Sequence, residues 1–135
     1  MFHSRVLGAK SRNLDTFFTD EETTRYLMKR GAEDTDISVV EGVMGYYDGL
    51  GGIDTKASAY DLAAVTGTPA VLVVDTRGMS LSALAEIKGF LTYKKESHIE
   101  GVILNRMSPM LYPEIKKQIE EELGIRVFGY VPKIT

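Results

Sequence analysis

Two carboxylates are set where chemistry could use them. Glu41 closes a short apolar run, residues 37–40 (ISVV), and Asp48 follows seven residues later within EGVMGYYDG, residues 41–49. The apolar run reads as a buried strand, and Gly42, Gly45 and Gly49 let the chain turn sharply after it. In an open α/β sheet, ligands gather at the carboxyl ends of the strands. An acid delivered to that rim suits a magnesium ion carrying phosphates, because magnesium takes one or two carboxylates and leaves its other positions to phosphate and water. With Tyr46 and Tyr47 between the two acids, the loop reads as a reaction site. The plainer readings are a strand-terminal glutamate bonded to backbone donors and an Asp-Gly turn.

The elements around this loop alternate in type. Residues 1–15 show no period and read as an irregular lead-in. Thr19-Asp20-Glu21-Glu22 has the form of a capping box, opening a helix to about residue 30, with Lys29 and Arg30 at its negative end and Gly31 as the stop. Residues 37–41 are the first expected strand, followed by a glycine-rich loop over 42–54 and a helix over 56–66. Residues 70–75 (AVLVVD) form a continuous apolar strand, as when both faces of a parallel sheet are covered. A helix capped by Ser80 runs to about 93 and turns Leu81, Leu84, Ile87 or Lys88, and Leu91 to the sheet. Residues 101–105 (GVILN) and 126–131 (RVFGYV) are two more strands, separated by a helix over 113–123. Strands alternating with helices predict an α/β fold with a mainly parallel sheet.

Composition narrows the classes. The chain has 135 residues, 44% of them apolar, enough for one domain with a core. A net charge of −3 gives neither a nucleic-acid footprint nor a polybasic membrane surface. The absence of cysteine excludes disulfides, thiolate metal sites and a cysteine nucleophile in this sequence. No apolar run approaches a membrane span and no basic-then-apolar signal opens the chain. The expectation is a soluble, cytoplasmic protein with no nucleic-acid or membrane partner.

Five segments in this order and at these separations carry a resemblance: SRNLD (11–15), VEGVMGYYDG (40–49), VLVVDTRG (71–78), GVILNR (101–106) and GYVP (129–132). Together they resemble the ATP-binding synthetase domain of the cobyrinic acid a,c-diamide synthase family, amidotransferases of the cobalamin pathway. The long glycine-rich motif is the specific one. The resemblance implies a three-layer α/β fold of the P-loop NTPase and dethiobiotin-synthetase type. It also implies ATP and magnesium, a carboxylate of a tetrapyrrole activated as an acyl phosphate, and ammonia supplied by a separate glutaminase domain. By the same resemblance Glu41 holds the magnesium. Asp48 lies near the substrate carboxylate or the transferred phosphate, with Tyr46 beside it in the catalytic set. Tyr47, Arg12 and Asn13 face the substrate, Asn105 and Pro132 meet the nucleotide, and Gly42 and Gly45 serve the cofactor by shape. The tyrosines may equally be read as packing, and Arg12 and Asn13 as a hydrogen-bonded loop. Asp75, a strand-terminal acid, reads as structural.

Members of the family begin with a strand, a Gly-Lys-Ser/Thr phosphate loop and a helix. The nearest approach here is residues 49–58 (GLGGIDTKAS), but Thr55 precedes Lys56 where glycine is needed, and Ala57 follows it without a hydroxyl for magnesium. The resemblance therefore implies the middle of a synthetase, lacking that phosphate-binding unit and the glutaminase, inactive on its own and a weak binder of ATP. Apolar sheet surface left open would favour a homo-oligomer. Alternative readings are a nickel-sirohydrochlorin a,c-diamide synthase of the same family, a nucleotide-switch ATPase of the chromosome-partitioning kind, and a degenerate binding or assembly domain.

Overall fold

Residues 2–134 are described by the computed structural model, and the chain divides into two units, Met1–Thr68 and Pro69–Thr135. The first unit opens with a helix, α1 (Phe2–Leu7), where the sequence predicted an irregular lead-in. Six residues are too few to display a period, and the stop signal is Gly8, which takes the left-handed conformation (φ +63°). Asp15 then organises the approach to the next helix. Its carboxylate accepts the Phe17 N–H at 2.8 Å, and its carbonyl accepts the Thr19 hydroxyl at 3.1 Å.

Helix α2 (Glu21–Ala32) is capped by Asp20, whose carboxylate accepts the Thr23 N–H at 2.7 Å. Thr19, the expected cap, spends its hydroxyl on Asp15 and on the Thr24 hydroxyl at 2.7 Å, so the neighbouring acid takes over. Gly31 lies inside the helix rather than ending it. Helix α3 (Ala59–Thr66) starts three residues later than predicted, with Ser58 as cap, and ends at Gly67 in the left-handed conformation. The two helices are clasped: Arg25 on α2 donates from Nε to the Val65 carbonyl at 2.7 Å, placing a cation at the negative end of α3. Among the described residues of this unit, Thr24, Ser58 and Ala63 are buried, so hydrogen bonds carry much of its order.

The strand predicted over 37–41 is not formed. Among the described residues, no strand includes that segment, and Ile37 and Val39 stand 80% and 88% exposed. An apolar run becomes a strand only when a neighbour completes its hydrogen-bond ladder. Glu41 thus sits on irregular, exposed chain and not at a strand end.

The second unit is a parallel sheet. Strands β1 (Ala70–Asp75), β2 (Ile99–Asn105) and β3 (Arg126–Val131) lie side by side in that order. They are joined by helices α4 (Ser82–Tyr93) and α5 (Tyr112–Leu123). Leu72 and Val74 of β1, Val102 and Leu104 of β2, and Val127 of β3 bury one face of the sheet. Ala83, Leu84 and Ile87 of α4 and Ile115 and Ile119 of α5 are buried with them. Leu81, expected in this core, is exposed, and α4 has Leu81 rather than Ser80 at its cap position. The other face of β1 carries Val71 and Val73, both exposed. Two crossovers between successive parallel strands of one hand lay both helices on the same side.

Register aligns Asp75, Asn105 and Val131 across the carboxyl ends of the strands. There Asp75 accepts Arg106 Nε at 2.8 Å and a second bond from its terminal nitrogen, a bidentate pair joining β1 to β2. The Arg106 hydrogen bonds, followed by the Arg77 N–H, hold the Asp75 carboxyl below its ordinary value of 3.8. A depressed folded value means that the pair stabilises fully above the unfolded value and fades as pH falls through the folded one. Urea midpoints of the wild type and Asp75→Asn should therefore differ by a constant amount over about pH 5–7 and converge at about pH 3 or below. A gap unchanged at acid pH would contradict this role.

Candidate functional site

The glycine-rich loop of the first unit is built on the amino end of α3. The first amide groups of a helix have no partner within it, and here the loop supplies several. Tyr60 N–H donates to the Tyr46 carbonyl at 3.0 Å. Asp61 N–H donates to the Ser58 hydroxyl oxygen at 3.1 Å, and Ala57 N–H to Asp61 Oδ2 at 2.8 Å, a capping box written Ser-x-x-Asp. The same Asp61 oxygen accepts the Thr16 hydroxyl at 2.7 Å, tying the segment that follows SRNLD to this helix end. Ser58 N–H and its hydroxyl both donate to the Thr55 carbonyl.

Residues 45–48 form a tight turn closed by Asp48 N–H on the Gly45 carbonyl at 2.9 Å. The Asp48 carboxylate folds back over Gly45 so closely that a Cβ there would overlap it. Gly42 lies against α3, where an added Cβ would stand 3.2 Å from that of Ala59. Leu50 N–H reaches the Lys56 carbonyl at 3.0 Å, so residues 50–56 form a closed loop. Gly49 sits inside that closure, and a Cβ on it would overlap the carbonyl oxygens of Lys56 and Asp54. The segment 49–58 is thus occupied by its own contacts. At the amino end of α3 the Tyr60 and Asp61 amides are bonded to Tyr46 and Ser58, and the preceding Ala57 and Ser58 amides to Asp61 and Thr55.

Tyr46, Tyr47 and Tyr60 form an aromatic cluster. Ring centroids lie 4.9 Å apart for Tyr46–Tyr47, 5.2 Å for Tyr47–Tyr60 and 6.0 Å for Tyr46–Tyr60, mostly edge to face. Burial, followed by the neighbouring Tyr47 and Tyr60 phenols, pushes the Tyr46 phenol up to about 12. The Tyr46 phenol therefore stays protonated over a wider pH range than a free one.

The loop thus brings Gly42, Gly45, Tyr46, Tyr47 and Asp48 into one built element, with Asp48 exposed at its turn. Glu41, exposed, enters it from the irregular side. Arg12 and Asn13 are exposed on irregular chain ahead of Asp15. In the second unit Asn105 ends β2, half-buried. Its carbonyl is held by the buried Thr76, through the Thr76 N–H at 2.8 Å and hydroxyl at 2.9 Å. Pro132 follows β3 directly and is exposed.

Sequence reasoning passed over Tyr60 and Asp61. The Ser58-x-x-Asp61 spacing was a legible helix start. Tyr60 gave no signal beyond being a further aromatic at that start. Two substitutions test the loop. Gly49→Ala should destabilise the chain by about 2 kcal/mol, since backbone must shift to admit the methyl. Ala57 takes a left-handed φ of +63°, so Ala57→Gly should stabilise it by about 0.5–1 kcal/mol. Urea unfolding checks both, and a neutral Gly49→Ala would show the loop to be open.

The AAA domain family matches residues 11–135. Over 131 residues the chain is 44% identical to cobyrinate a,c-diamide synthase of Thermoplasma acidophilum, covering 96% of this chain and 29% of that protein. It is 42% identical over 133 residues to the protein of the same name from Caldanaerobacter subterraneus subsp. tengcongensis, covering 98% and 29%. With that of Priestia megaterium it shares 37% over 131 residues, covering 96% and 28%. The chain therefore spans less than a third of the length of these relatives. No solved structure matches it. An α/β chain with a parallel sheet, matched over nearly all of its residues, belongs to the AAA domain family, in the company of the cobyrinate a,c-diamide synthases.

Proposed function

We propose that this chain is part of an ATP-dependent amidoligase that converts the a- and c-side-chain carboxylates of cobyrinic acid to amides in cobalamin biosynthesis. The observation that carries the reading is the built turn at residues 45–48, which presents Asp48 beside two tyrosines within the motif that marks the likeness to the named synthases. The chemistry fits a positioning loop. A carboxylate is a poor electrophile, so one of its oxygens attacks the γ-phosphorus of ATP and ADP leaves. Ammonia then attacks the carbonyl carbon of the acyl phosphate, loses a proton, and expels phosphate. Such steps depend mainly on orientation and charge neutralisation.

Asp48 orients the reacting carboxylate or the transferred phosphate, and Tyr46, kept protonated, donates a hydrogen bond to an anionic oxygen there. Tyr47, Arg12 and Asn13 are assigned to the macrocycle's peripheral carboxylates. Asn105 is assigned to the adenine edge, because an amide both donates and accepts. Pro132 lies just beyond the neighbouring strand end. Among the described residues, no cluster of three or more potential ligands forms a closed metal cage. Glu41 is assigned to magnesium, which can take one protein carboxylate, draws its remaining ligands from phosphate and water, and would neutralise charge at the phosphates. Glutamine-derived ammonia belongs to a glutaminase partner.

Replacing the corresponding segment of the Thermoplasma acidophilum synthase by this chain tests the reading. The chimera should amidate cobyrinic acid with ATP and glutamine. Asp48→Asn in it should lower kcat by about 10–100-fold, as expected when a positioning group is lost. A folded chimera that amidates nickel-sirohydrochlorin but not cobyrinic acid, or neither, would overturn the assignment. Calorimetry of the chain alone should detect no micromolar affinity for magnesium-ATP, because Thr55-Lys56-Ala57 does not supply a Gly-Lys-Ser/Thr phosphate loop.

A further inference from the structure

The segment VMGYYDG contributes two tyrosines and an acid, but what holds them comes from outside it. Tyr60, in the first turn of α3, touches this turn in two independent ways. Its N–H donates to the Tyr46 carbonyl at 3.0 Å, and its ring packs against both loop tyrosines, 5.2 Å from Tyr47 and 6.0 Å from Tyr46. Any residue but proline would supply that N–H. The ring is specific to tyrosine or phenylalanine.

We propose that Tyr60 is a positioning residue for the Tyr46–Asp48 turn, closing a three-ring cluster that fixes the loop before substrate arrives. The inference rests on the reading that this loop meets the substrate, and its structural half stands without it. The physical ground is entropy. Residues 37–44 are irregular and mostly exposed, so the turn has no strand behind it to hold its orientation. A turn closed by a single backbone bond, Asp48 to Gly45, frays readily on its own. One edge-to-face and one tilted ring contact anchor its two central residues to a helix that is itself clasped to α2 through Arg25. Binding energy then need not be spent on ordering the loop. The cluster also shields the Tyr46 phenol, keeping it a donor.

The test uses amide hydrogen exchange in the intact chain, with the amides of α2 and β2 as internal references. In Tyr60→Ala the Asp48 amide should exchange about tenfold faster while the references are unchanged. Tyr60→Phe, which keeps the ring, should stay within about twofold of wild type. Should the alanine variant unfold α2, Tyr60→Leu, which fills the volume without a ring, carries the same test. A tyrosinate absorbance titration adds a signature that a purely stabilising role would not move: the highest phenol transition should fall in Tyr60→Leu. In the chimera, Tyr60→Ala should raise KM for cobyrinic acid by more than it lowers kcat. Unchanged Asp48 exchange in both the alanine and leucine variants would overturn the proposal. A loosened Asp48 in a chain whose wild-type chimera ignores cobyrinic acid would leave the positioning role intact and remove the substrate reading.

Discussion

The amino end of α3 must find partners for amide hydrogens that the helix cannot satisfy, and the first unit is arranged around that requirement. Tyr60 gives its amide to Tyr46, Ala57 gives its own to Asp61, and Asp61 reaches on to Thr16. These few bonds fix the loop that carries Tyr46, Tyr47 and Asp48 and also hold the chain that follows Arg12 and Asn13. An unsatisfied buried amide costs a few kcal/mol, more than a typical hydrogen bond returns when made. The arrangement is therefore stiff for a unit whose buried residues, among those described, are Thr24, Ser58 and Ala63. Glycine supplies the other half of the constraint. Gly49 sits where backbone carbonyl oxygens leave no room for a methyl group, and at Gly45 a methyl would displace the Asp48 carboxylate.

Legibility in the sequence followed how local each cause was. Strands β1 and β3 were readable to the residue because their apolar runs end in an acid and before a proline, and neighbouring strands complete them. Residues 37–40 have the same composition but remain irregular, since nothing local tells a run with a ladder partner from one without. The cap of α2 moved from Thr19 to Asp20 because the Thr19 hydroxyl had better partners nearby, a competition that spacing alone does not settle. The loop motif was visible as residue types. Its dependence on Tyr60 was not, because a ring contact across a turn leaves no period.

The second unit shows a different kind of order at its carboxyl rim. In-register parallel pairing sets Asp75, Asn105 and Val131 in one row, and the row is fixed by backbone geometry. Arg106 follows the row in a left-handed conformation (φ +58°), which costs a non-glycine residue about 1–2 kcal/mol. Its bidentate pair with Asp75 offsets that strain. Thr76 locks the Asn105 carbonyl from the other side through both its amide and its hydroxyl. Asn105 is therefore held at its backbone. Asp75, a strand-terminal acid, holds the arginine that follows the asparagine.

The exposure of Glu41 and Asp48 limits what they can do by charge alone. In water a charge pair at 4 Å is worth about 1 kcal/mol, and about 4 kcal/mol once the surroundings behave as protein surface with an effective dielectric near 20. Carboxylates left in solvent thus contribute modestly to stabilising a phosphoryl transition state until something excludes water around them. In such a loop, geometry fixed in advance matters more than field strength, since orientation can supply about 7–11 kcal/mol of a barrier where exposed charge supplies little. The loop's architecture matches that division: its hydrogen bonds, its close glycine contacts and its tyrosine cluster all fix direction, and none of them deepens burial of the acids. On the function proposed above, desolvation has to come from whatever covers the loop when substrate binds, so Asp48 is placed before it is made strong.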